Sequence, residues 1–188
     1  LAQDYEVVSL ARRPAQPHPR LTSVSVDLLD AKATAEAARD IAGRFPVTHI
    51  VHNAGVIRAN LVEQTSAEDL AALSQLHLGV ALSLVQTCVP RMKAEKFGRV
   101  ILMSSRAAMG LATRTAYSAT KSGMIGMART WALELGPHGI TVNVVAPGPI
   151  EATEMFHEVM PAGDPRIAAL AANIPVKRLG TPADVANA

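Results

Sequence analysis

Short apolar runs alternate with longer amphipathic segments from one end of the chain to the other. The runs are rich in Val, Ile and Leu, end at turn residues, and predict strands at residues 5–10, 21–26, 48–51, 99–103 and 140–146. Between them, apolar residues at helical spacing predict helices at residues 31–44, 76–92 and 117–135, and a further helix that Ser66 caps. The chain therefore alternates strand and helix throughout.

This alternation decides the predicted fold class. Strands that are apolar on both faces and separated by helices require a parallel sheet with helices covering both sides. We therefore predict an α/β fold with right-handed crossovers, a doubly wound parallel sheet in one domain over residues 1–188.

Both ends of the sequence resemble parts of larger elements. Residues 1–5 resemble the end of a helix that continues into a strand, and Thr181 followed by Pro182 resembles the opening turn of a helix. We expect the complete fold to have further secondary structure at both ends.

The composition is that of a folded globular chain with little net charge. Hydrophobic residues make up 49% of the 188 positions and charged residues 18%, which excludes a disordered protein. Eighteen Lys and Arg against sixteen Asp and Glu leave a charge of +2, and the basic residues are scattered, which excludes nucleic acid as a partner. A lone cysteine, Cys88, and the lack of a signal peptide or long apolar run predict a cytoplasmic protein that does not bind a membrane.

Candidate ligand-binding residues follow the predicted strands at the points where these strands end. They are Arg12, Asp27, Asn53, Ser105 and Pro147. Ligands bind beyond the carboxyl ends of the strands in a doubly wound sheet, so we expect these residues to line one crevice.

Tyr117, Lys121 and Ser105 form a candidate group for proton transfer. Tyr117 and Lys121 are four residues apart and share one face of the predicted helix, and Ser105 follows the preceding strand. A neighbouring ammonium lowers the pKa of a phenol, so Tyr117 is predicted to exchange protons and Lys121 to tune it, while Ser105 polarises a substrate carbonyl. The alternative for the pair alone is a tyrosine and a lysine on the helix surface.

The sequence around these residues resembles the short-chain dehydrogenase/reductase family, in the compact form of the 3-oxoacyl-[acyl-carrier-protein] reductases. The resemblance runs from Val7 to Ala186 through separate motifs in the family's order. The motifs are Asp27-Leu28, Asn53-Ala54-Gly55, Gly98-Arg99-Val100, Ser104-Ser105, Tyr117-Ser118-Ala119-Thr120-Lys121, Asn143, Pro147-Gly148 and Arg178-Leu179-Gly180-Thr181-Pro182. The resemblance implies a Rossmann-type fold and an NAD(P)-dependent oxidoreductase. It also implies a first strand and a Gly-rich, phosphate-binding turn before Leu1, and a last strand after Ala188.

The resemblance also implies the catalytic residues and the reaction. Ser105, Tyr117 and Lys121 match the family's catalytic serine, tyrosine and lysine, although Ser105 lies one residue closer to Tyr117 than is usual. The implied reaction moves a hydride between NADP(H) and a small carbonyl or alcohol substrate. The alternative is a cofactor-binding protein of the same fold without turnover, acting as a sensor or an assembly subunit.

The charge after the first predicted strand bears on the choice of cofactor. NAD-preferring members of such folds place an acid there for the ribose diol, whereas a basic residue binds the 2′-phosphate of NADP. Here the positions hold Arg12, suited to the phosphate, and Arg13, suited to stacking on adenine. NADP(H) is therefore favoured over NAD(H). The alternative is that both arginines are solvated loop residues.

The resemblance assigns further residues to the cofactor. Asp27 matches the residue at the adenine edge and Asn53 the one near the adenosine ribose; their alternatives are a helix cap and a turn. The remaining cofactor residues are Ala54, Gly55, Tyr117, Lys121, Pro147, Gly148, Ile150 and Thr153. The family's threonine after the Pro-Gly motif is here Ala152, so Thr153 takes its role through a one-residue insertion, or else it is a helix cap.

His77 stands where the family usually has a catalytic asparagine. An imidazole both donates and accepts, so His77 is a candidate for holding a water that relays protons from Lys121. The alternative is a buried structural histidine bonded to a carbonyl. We expect no metal site, because His49 and His52 point to opposite faces of a strand and the other histidines are isolated.

Two apolar segments predict substrate and partner contacts. The resemblance makes the region of Met155 and Phe156 a mobile lid over an apolar part of the substrate. Residues 118–135 are too apolar for a surface helix, which the resemblance explains by packing against a second copy in a homodimer or homotetramer. Burial within the domain is the alternative.

Overall fold

All described strands are parallel, and they form two sheets. The computed structural model describes residues 4–151, 153, 156–157, 160–161 and 163–188. In the first sheet β1 (Val7–Ala11) pairs with β2 (Leu21–Ser25). In the second, β4 (Gly98–Met103) lies between β3 (His49–His52) and β5 (Ile140–Val145). The predicted α/β class with parallel strands is confirmed.

The described strands form two separate ladders, whereas the prediction for the whole fold is one doubly wound sheet. Within the described residues no strand of the first sheet pairs with β3, β4 or β5. The reason is that β1 and β3 have no described strand between them to which both could hydrogen-bond.

Helices cover these sheets, and two of them start at caps that the sequence indicates. They are α1 (Ala31–Arg44), α2 (Ala67–Ser74), α3 (Val80–Glu95), α4 (Thr115–Leu135), α5 (Arg166–Ala172) and α6 (Pro182–Ala186). Ser66 caps α2 by accepting a hydrogen bond from the backbone N–H of Asp69 at 3.0 Å, as predicted. Thr181 and Asp184 form a reciprocal capping box at α6, which confirms Thr181 as a cap.

The helices α2 and α3 are joined by a π-helical turn, Gln75–Gly79, into one long helical segment. The sequence predicted two separate helices here, because the wider turn inserts a residue and shifts the apolar pattern without breaking the helix. By length and composition alone the segment Ala67–Glu95 is apolar enough to cross a membrane. Its buried residues pack in the core of the fold, which accounts for that apolar character.

The main core lies between the second sheet and the helices α3 and α4. Residues of α3 at helical spacing, Ala81, Val85, Cys88 and Met92, pack against the buried side chains of β4. A second cluster joins Leu76 and Val80 to residues of the first sheet. The junction of α2 and α3 therefore contacts both sheets.

Candidate functional site

The carboxyl ends of β4 and β5 bring the loops of Ser105 and Pro147 together. The backbone N–H of Ser104 donates to Val145 O at 2.8 Å, and that of Arg106 donates to Pro147 O at 2.9 Å. The Ser105 hydroxyl caps the short 3₁₀ helix Arg106–Met109 by accepting from Ala107 N at 3.1 Å. This contact fixes the Ser105 side chain at the edge of the sheet.

Tyr117 lies in the first turn of α4 and is buried, with 6% of its surface exposed. The Ser105 side chain beside its hydroxyl lowers the pKa of Tyr117, as does the charge of Arg114. Burial outweighs both effects, so that the pKa of Tyr117 is raised. The prediction that Lys121 lowers this pKa is therefore wrong for the structure as described.

The two serines of the motif make different contacts. Ser104 is buried, and its hydroxyl donates to the backbone carbonyl of Lys121 at 2.8 Å, which holds α4 against β4. Ser105 instead contacts Tyr117. Of the two hydroxyls, that of Ser105 is the one beside the phenol.

Lys121 points inward beneath Tyr117. Its Nζ donates to the carbonyl of Met103 at 2.6 Å and lies 5.5 Å from the centre of the Tyr117 ring. Burial lowers the pKa of Lys121 to about 8. The lysine is thus charged at neutral pH, yet within about a unit of releasing its proton.

His77 lies in the π-helical turn and is completely buried. Its Nδ1 is 2.8 Å from the hydroxyl oxygen of Thr120, which in turn lies 3.0 Å from the carbonyls of Ala116 and Tyr117. Carbonyls only accept, so the Thr120 hydroxyl donates to one of them and accepts from Nδ1–H. His77 therefore carries its proton on Nδ1, and its Nε2 is a bare acceptor.

The bare nitrogen of His77 and the ammonium of Lys121 face one small space beside Gly55. A Cβ on Gly55 would lie 3.1 Å from His77 Nε2 and 3.4 Å from Lys121 Nζ. His77 Nε2 is buried and has no hydrogen-bond partner in the described chain. Burial, then the charges of Lys121 and His52, lower the pKa of His77 to about 3, so the ring is neutral.

His52 is a site residue that sequence reasoning missed. It is buried at the end of β3, while His49 on the opposite face is exposed, as predicted. His52 hydrogen-bonds to the backbone of Leu76 and His77 in the π-helical turn, yet burial and Lys121 lower its pKa to about 4. Only its position at a strand end, directly before Asn53, distinguished it in the sequence.

Two buried neutral histidines make the fold sensitive to acid. The pKa of His52 is about 4 and that of His77 about 3 in the folded chain, against 6.5 when exposed. As the pH falls below 6.5 the unfolded chain binds protons that the folded chain does not, so the free energy of unfolding falls. We expect the urea midpoint to drop between pH 6.5 and pH 4, and to drop less in His77→Asn. Equal slopes in the two proteins would contradict this assignment.

Open polar side chains at the other strand ends fit a dinucleotide. Arg12 after β1 and Asn53 after β3 are exposed, and neither side chain hydrogen-bonds to any described residue. A free guanidinium suits the 2′-phosphate of NADP, and a free amide suits a ribose hydroxyl.

Arg13 is also exposed, and Ala54 and Gly55 continue the loop after Asn53. Asp27 accepts a hydrogen bond from Leu29 N at 3.0 Å, which is a turn contact, and the cap of α1 is Asp30 rather than Asp27.

The loop after β5 contains the remaining predicted cofactor residues. Ile150 forms a parallel bridge with Gly180, which anchors the segment that follows Pro147 and Gly148. The Thr153 hydroxyl donates to Ile150 O and accepts from Phe156 N, both at 3.2 Å, so it makes the contacts of a cap. Phe156 is partly buried, and Met155 lies outside the described residues.

Comparison with known proteins agrees with this geometry. A family model described as Enoyl-(Acyl carrier protein) reductase matches residues 3–188. The 3-oxoacyl-[acyl-carrier-protein] reductase MabA of Mycobacterium avium is 34% identical over 191 residues, covering 100% of this chain and 73% of that protein. BbsC of Thauera aromatica, a subunit of (2S)-[(R)-hydroxy(phenyl)methyl]succinyl-CoA dehydrogenase, is 34% identical over 95% of this chain and 69% of its own.

A solved structure shares both the fold and the sequence pattern. It is described as an NAD(P)-dependent gluconate 5-dehydrogenase of Beutenbergia cavernae with bound NADP at low occupancy. It superposes with a TM-score of 0.82 at 30% identity, over 87% of this chain and 66% of that one. The chain thus spans about two thirds of the length of this structure and of BbsC. The resemblance indicated by the sequence motifs is confirmed: the chain belongs to the short-chain dehydrogenase/reductase family.

Proposed function

We propose that the protein is an NADP(H)-dependent oxidoreductase that interconverts a carbonyl compound and its alcohol. The observation that carries this proposal is the group of side chains at the end of β4, in which Ser105 lies beside the buried Tyr117 and Lys121 lies beneath the phenol ring. All three side chains are held by packing or by backbone contacts before any ligand binds. The names of the similar proteins, which are reductases and dehydrogenases, support the same chemistry.

The proposed mechanism assigns one role to each side chain. NADP(H), when bound, supplies or accepts the hydride. The Ser105 hydroxyl donates to the carbonyl oxygen of the substrate, and the Tyr117 hydroxyl gives that oxygen a proton as it becomes an alkoxide. A phenol whose pKa is raised by burial keeps its proton until the charge develops on the substrate oxygen. Burial also excludes water, which would compete for both hydrogen bonds.

Lys121 and His77 return the proton to Tyr117 in the proposed cycle. The Lys121 ammonium, with a pKa of about 8, can donate toward the phenolate and be reprotonated near neutral pH. A water beside Gly55 would donate to the bare Nε2 of His77 and contact Lys121 Nζ. Of the two interpretations of His77, this arrangement favours the relay, because its Nδ1 bonds a hydroxyl rather than a backbone carbonyl.

The cofactor roles are proposed for the same residues as in the sequence. Arg12 binds the 2′-phosphate, Arg13 stacks on adenine and Asn53 contacts the ribose, which is supported by the exposure of all three. The NADP in the gluconate dehydrogenase structure supports the preference for NADP(H). Asp27, Ala54, Gly55, Pro147, Gly148, Ile150 and Thr153 complete the proposed cofactor site, and Met155 and Phe156 contact the substrate.

The proposed activity is tested by following NADPH and NADH consumption with a panel of ketones and 3-oxoacyl thioesters. We expect turnover with at least one ketone class and faster turnover with NADPH. Binding of NADPH measured by fluorescence, without turnover of any substrate in the panel, would contradict the proposal and favour a cofactor-binding protein.

Changing Arg12 to aspartate tests the cofactor preference. The carboxylate repels the 2′-phosphate and accepts hydrogen bonds from the ribose hydroxyls, so Arg12→Asp should shift the NADPH-to-NADH ratio of kcat/KM toward NADH by about tenfold or more. Arg91→Gln, which removes an exposed arginine on α3, is the matched control. An unchanged ratio in Arg12→Asp would leave Arg12 as a solvated loop residue.

We also propose that the protein is a cytoplasmic homodimer or homotetramer. The face of α4 that points away from the core carries the small or apolar residues Ala119, Ser122, Gly126 and Leu133, together with the charged residue Arg129. Leu133 is 80% exposed in the single chain, and small residues allow two helices to approach closely. A light-scattering mass of one chain would contradict this proposal.

A further inference from the structure

Arg114 is a buried cation next to Tyr117 that has no counter-ion in the described chain. Only 8% of its surface is exposed, and it directly precedes α4. Its Nη1 donates to the carbonyl of Thr113 at 3.3 Å and to the Thr113 hydroxyl at 2.5 Å, both neutral groups. Among the residues that the structure describes, no carboxylate forms an ion pair with its guanidinium.

Asp69, the carboxylate linked to this segment through Asn60, already has two hydrogen-bond partners. The backbone of Asn60 bridges to Arg114, and the Asn60 amide donates to Asp69 Oδ2 at 3.2 Å. The other carboxylate oxygen of Asp69 accepts from Arg58 at 2.6 Å. Asp69 therefore neutralises Arg58 and leaves Arg114 without compensation.

The backbone directly before Arg114 has a strained conformation. Thr113 has a φ of 64°, in the left-handed region that residues other than glycine rarely adopt. The Asn60 N–H donates to the Thr113 carbonyl at 3.1 Å and keeps this conformation. Strain of this kind persists where surrounding structure holds it, and it concentrates at ligand-binding positions.

A guanidinium cannot lose its proton, so its burial without an anion is unfavourable. The carboxylate of a ligand would compensate it, because the planar fork of a guanidinium matches a carboxylate with two parallel hydrogen bonds. Arg114 directly precedes α4 and lies three residues, about one helical turn, before Tyr117. Its charge also lowers the pKa of Tyr117, as expected for two neighbouring side chains. The cofactor's 2′-phosphate is assigned to Arg12, after β1, so the carboxylate belongs to the molecule that reacts at Tyr117.

We propose that Arg114 binds the carboxylate of the substrate, so that the protein acts on small oxo acids and the matching hydroxy acids. This assignment rests on the proposed oxidoreductase function and names its substrate class. Arg114 would orient the carbonyl toward Ser105 and Tyr117 by fixing the far end of the substrate.

Matched acid and ester substrates test the proposal. Pyruvate, acetoacetate and levulinate, with their methyl esters, are compared in the wild-type protein, Arg114→Gln, Arg114→Lys and the control Arg91→Gln. We expect Arg114→Gln to lower kcat/KM for the best acid by about 10- to 100-fold, mainly through KM, and to leave its ester nearly unchanged. Arg114→Lys keeps the charge without the fork and should lie between. An equal fall for acid and ester, with a shifted pH profile of kcat, would overturn the proposal in favour of an effect on Tyr117.

A binding measurement separates this proposal from the oxidoreductase function. Calorimetric titration of the best-bound of the three acids into the NADPH-loaded Tyr117→Phe protein, with and without Arg114→Lys, needs no turnover. Weaker binding in Arg114→Lys supports the carboxylate site even if no ketone is reduced. Equal binding in both proteins, or no binding to either, overturns the site even if ketones are reduced. Melting temperatures of both proteins show that the comparison is made on folded chains.

Discussion

Tyr117→Phe should lose nearly all turnover while binding NADPH almost as tightly as the wild-type protein. The substitution removes only the hydroxyl that gives its proton to the substrate oxygen, and general acid catalysis contributes ~10² to 10⁴ in rate. The phenyl ring keeps the packing of the buried position, including the edge-to-face contact with His77 at 5.5 Å between ring centres. The measurement is kcat with the best ketone, alongside a fluorescence titration of NADPH.

One contradicting outcome and one comparison variant test the assigned role of Tyr117. Retention of more than about a tenth of wild-type turnover would refute the role of Tyr117 as the proton donor. Ser104→Ala is a useful comparison, because the Ser104 hydroxyl donates to the Lys121 carbonyl and does not contact the phenol in the assigned site. We expect Ser104→Ala to lower the melting temperature and to keep most of the turnover.

His77→Leu should lose most turnover with the fold intact, whereas His77→Asn should keep a substantial part of it. Asparagine still offers an acceptor and a donor to a water beside Gly55, while leucine leaves that water without a partner. The expected loss in His77→Leu is of the same order as for other proton-transfer groups, ~10². Turnover and melting temperature are measured for both variants.

The pair of variants distinguishes a relay from a structural histidine. Leucine also removes the bond from Nδ1 to Thr120, so some loss of stability is expected in His77→Leu. Equal turnover in His77→Asn and His77→Leu would contradict the relay. Equal loss of stability in both, with turnover following it, would indicate a structural histidine instead.

Much of the fold could be predicted because its signals are local. The helix α1 has the bounds that its apolar spacing indicates. Ser66 and Thr181 were recognisable as caps because their hydroxyl groups can accept a hydrogen bond from a backbone N–H of the first helical turn. The π-helical turn Gln75–Gly79 could not be predicted, since a single inserted residue leaves composition and average spacing unchanged. The division into two sheets depends on pairing between distant strands, about which the apolar pattern carries no information.

Some residues of the candidate site could be predicted from the sequence and others could not. Tyr117, Lys121 and Ser105 were recognisable from their motifs, and the strand ends predicted where they would meet. The direction of the pKa shift of Tyr117 could not be predicted, because it depends on how deeply Tyr117 is buried and on where the Lys121 ammonium points. His52 and Arg114 were missed because only the packed structure shows that both are buried, that His52 Nε2 has no hydrogen-bond partner in the described chain and that Arg114 has no counter-ion there.

The most direct test of the account is to follow a hydride from cofactor to substrate. NADPH deuterated on its nicotinamide ring at the transferred position is incubated with the protein and the best ketone, and the alcohol is analysed by mass spectrometry and NMR. We expect deuterium on the carbinol carbon with the wild-type protein, and almost none over the same time with Tyr117→Phe. Deuterium that stays in the cofactor with every ketone, although NADPH is bound, would contradict it.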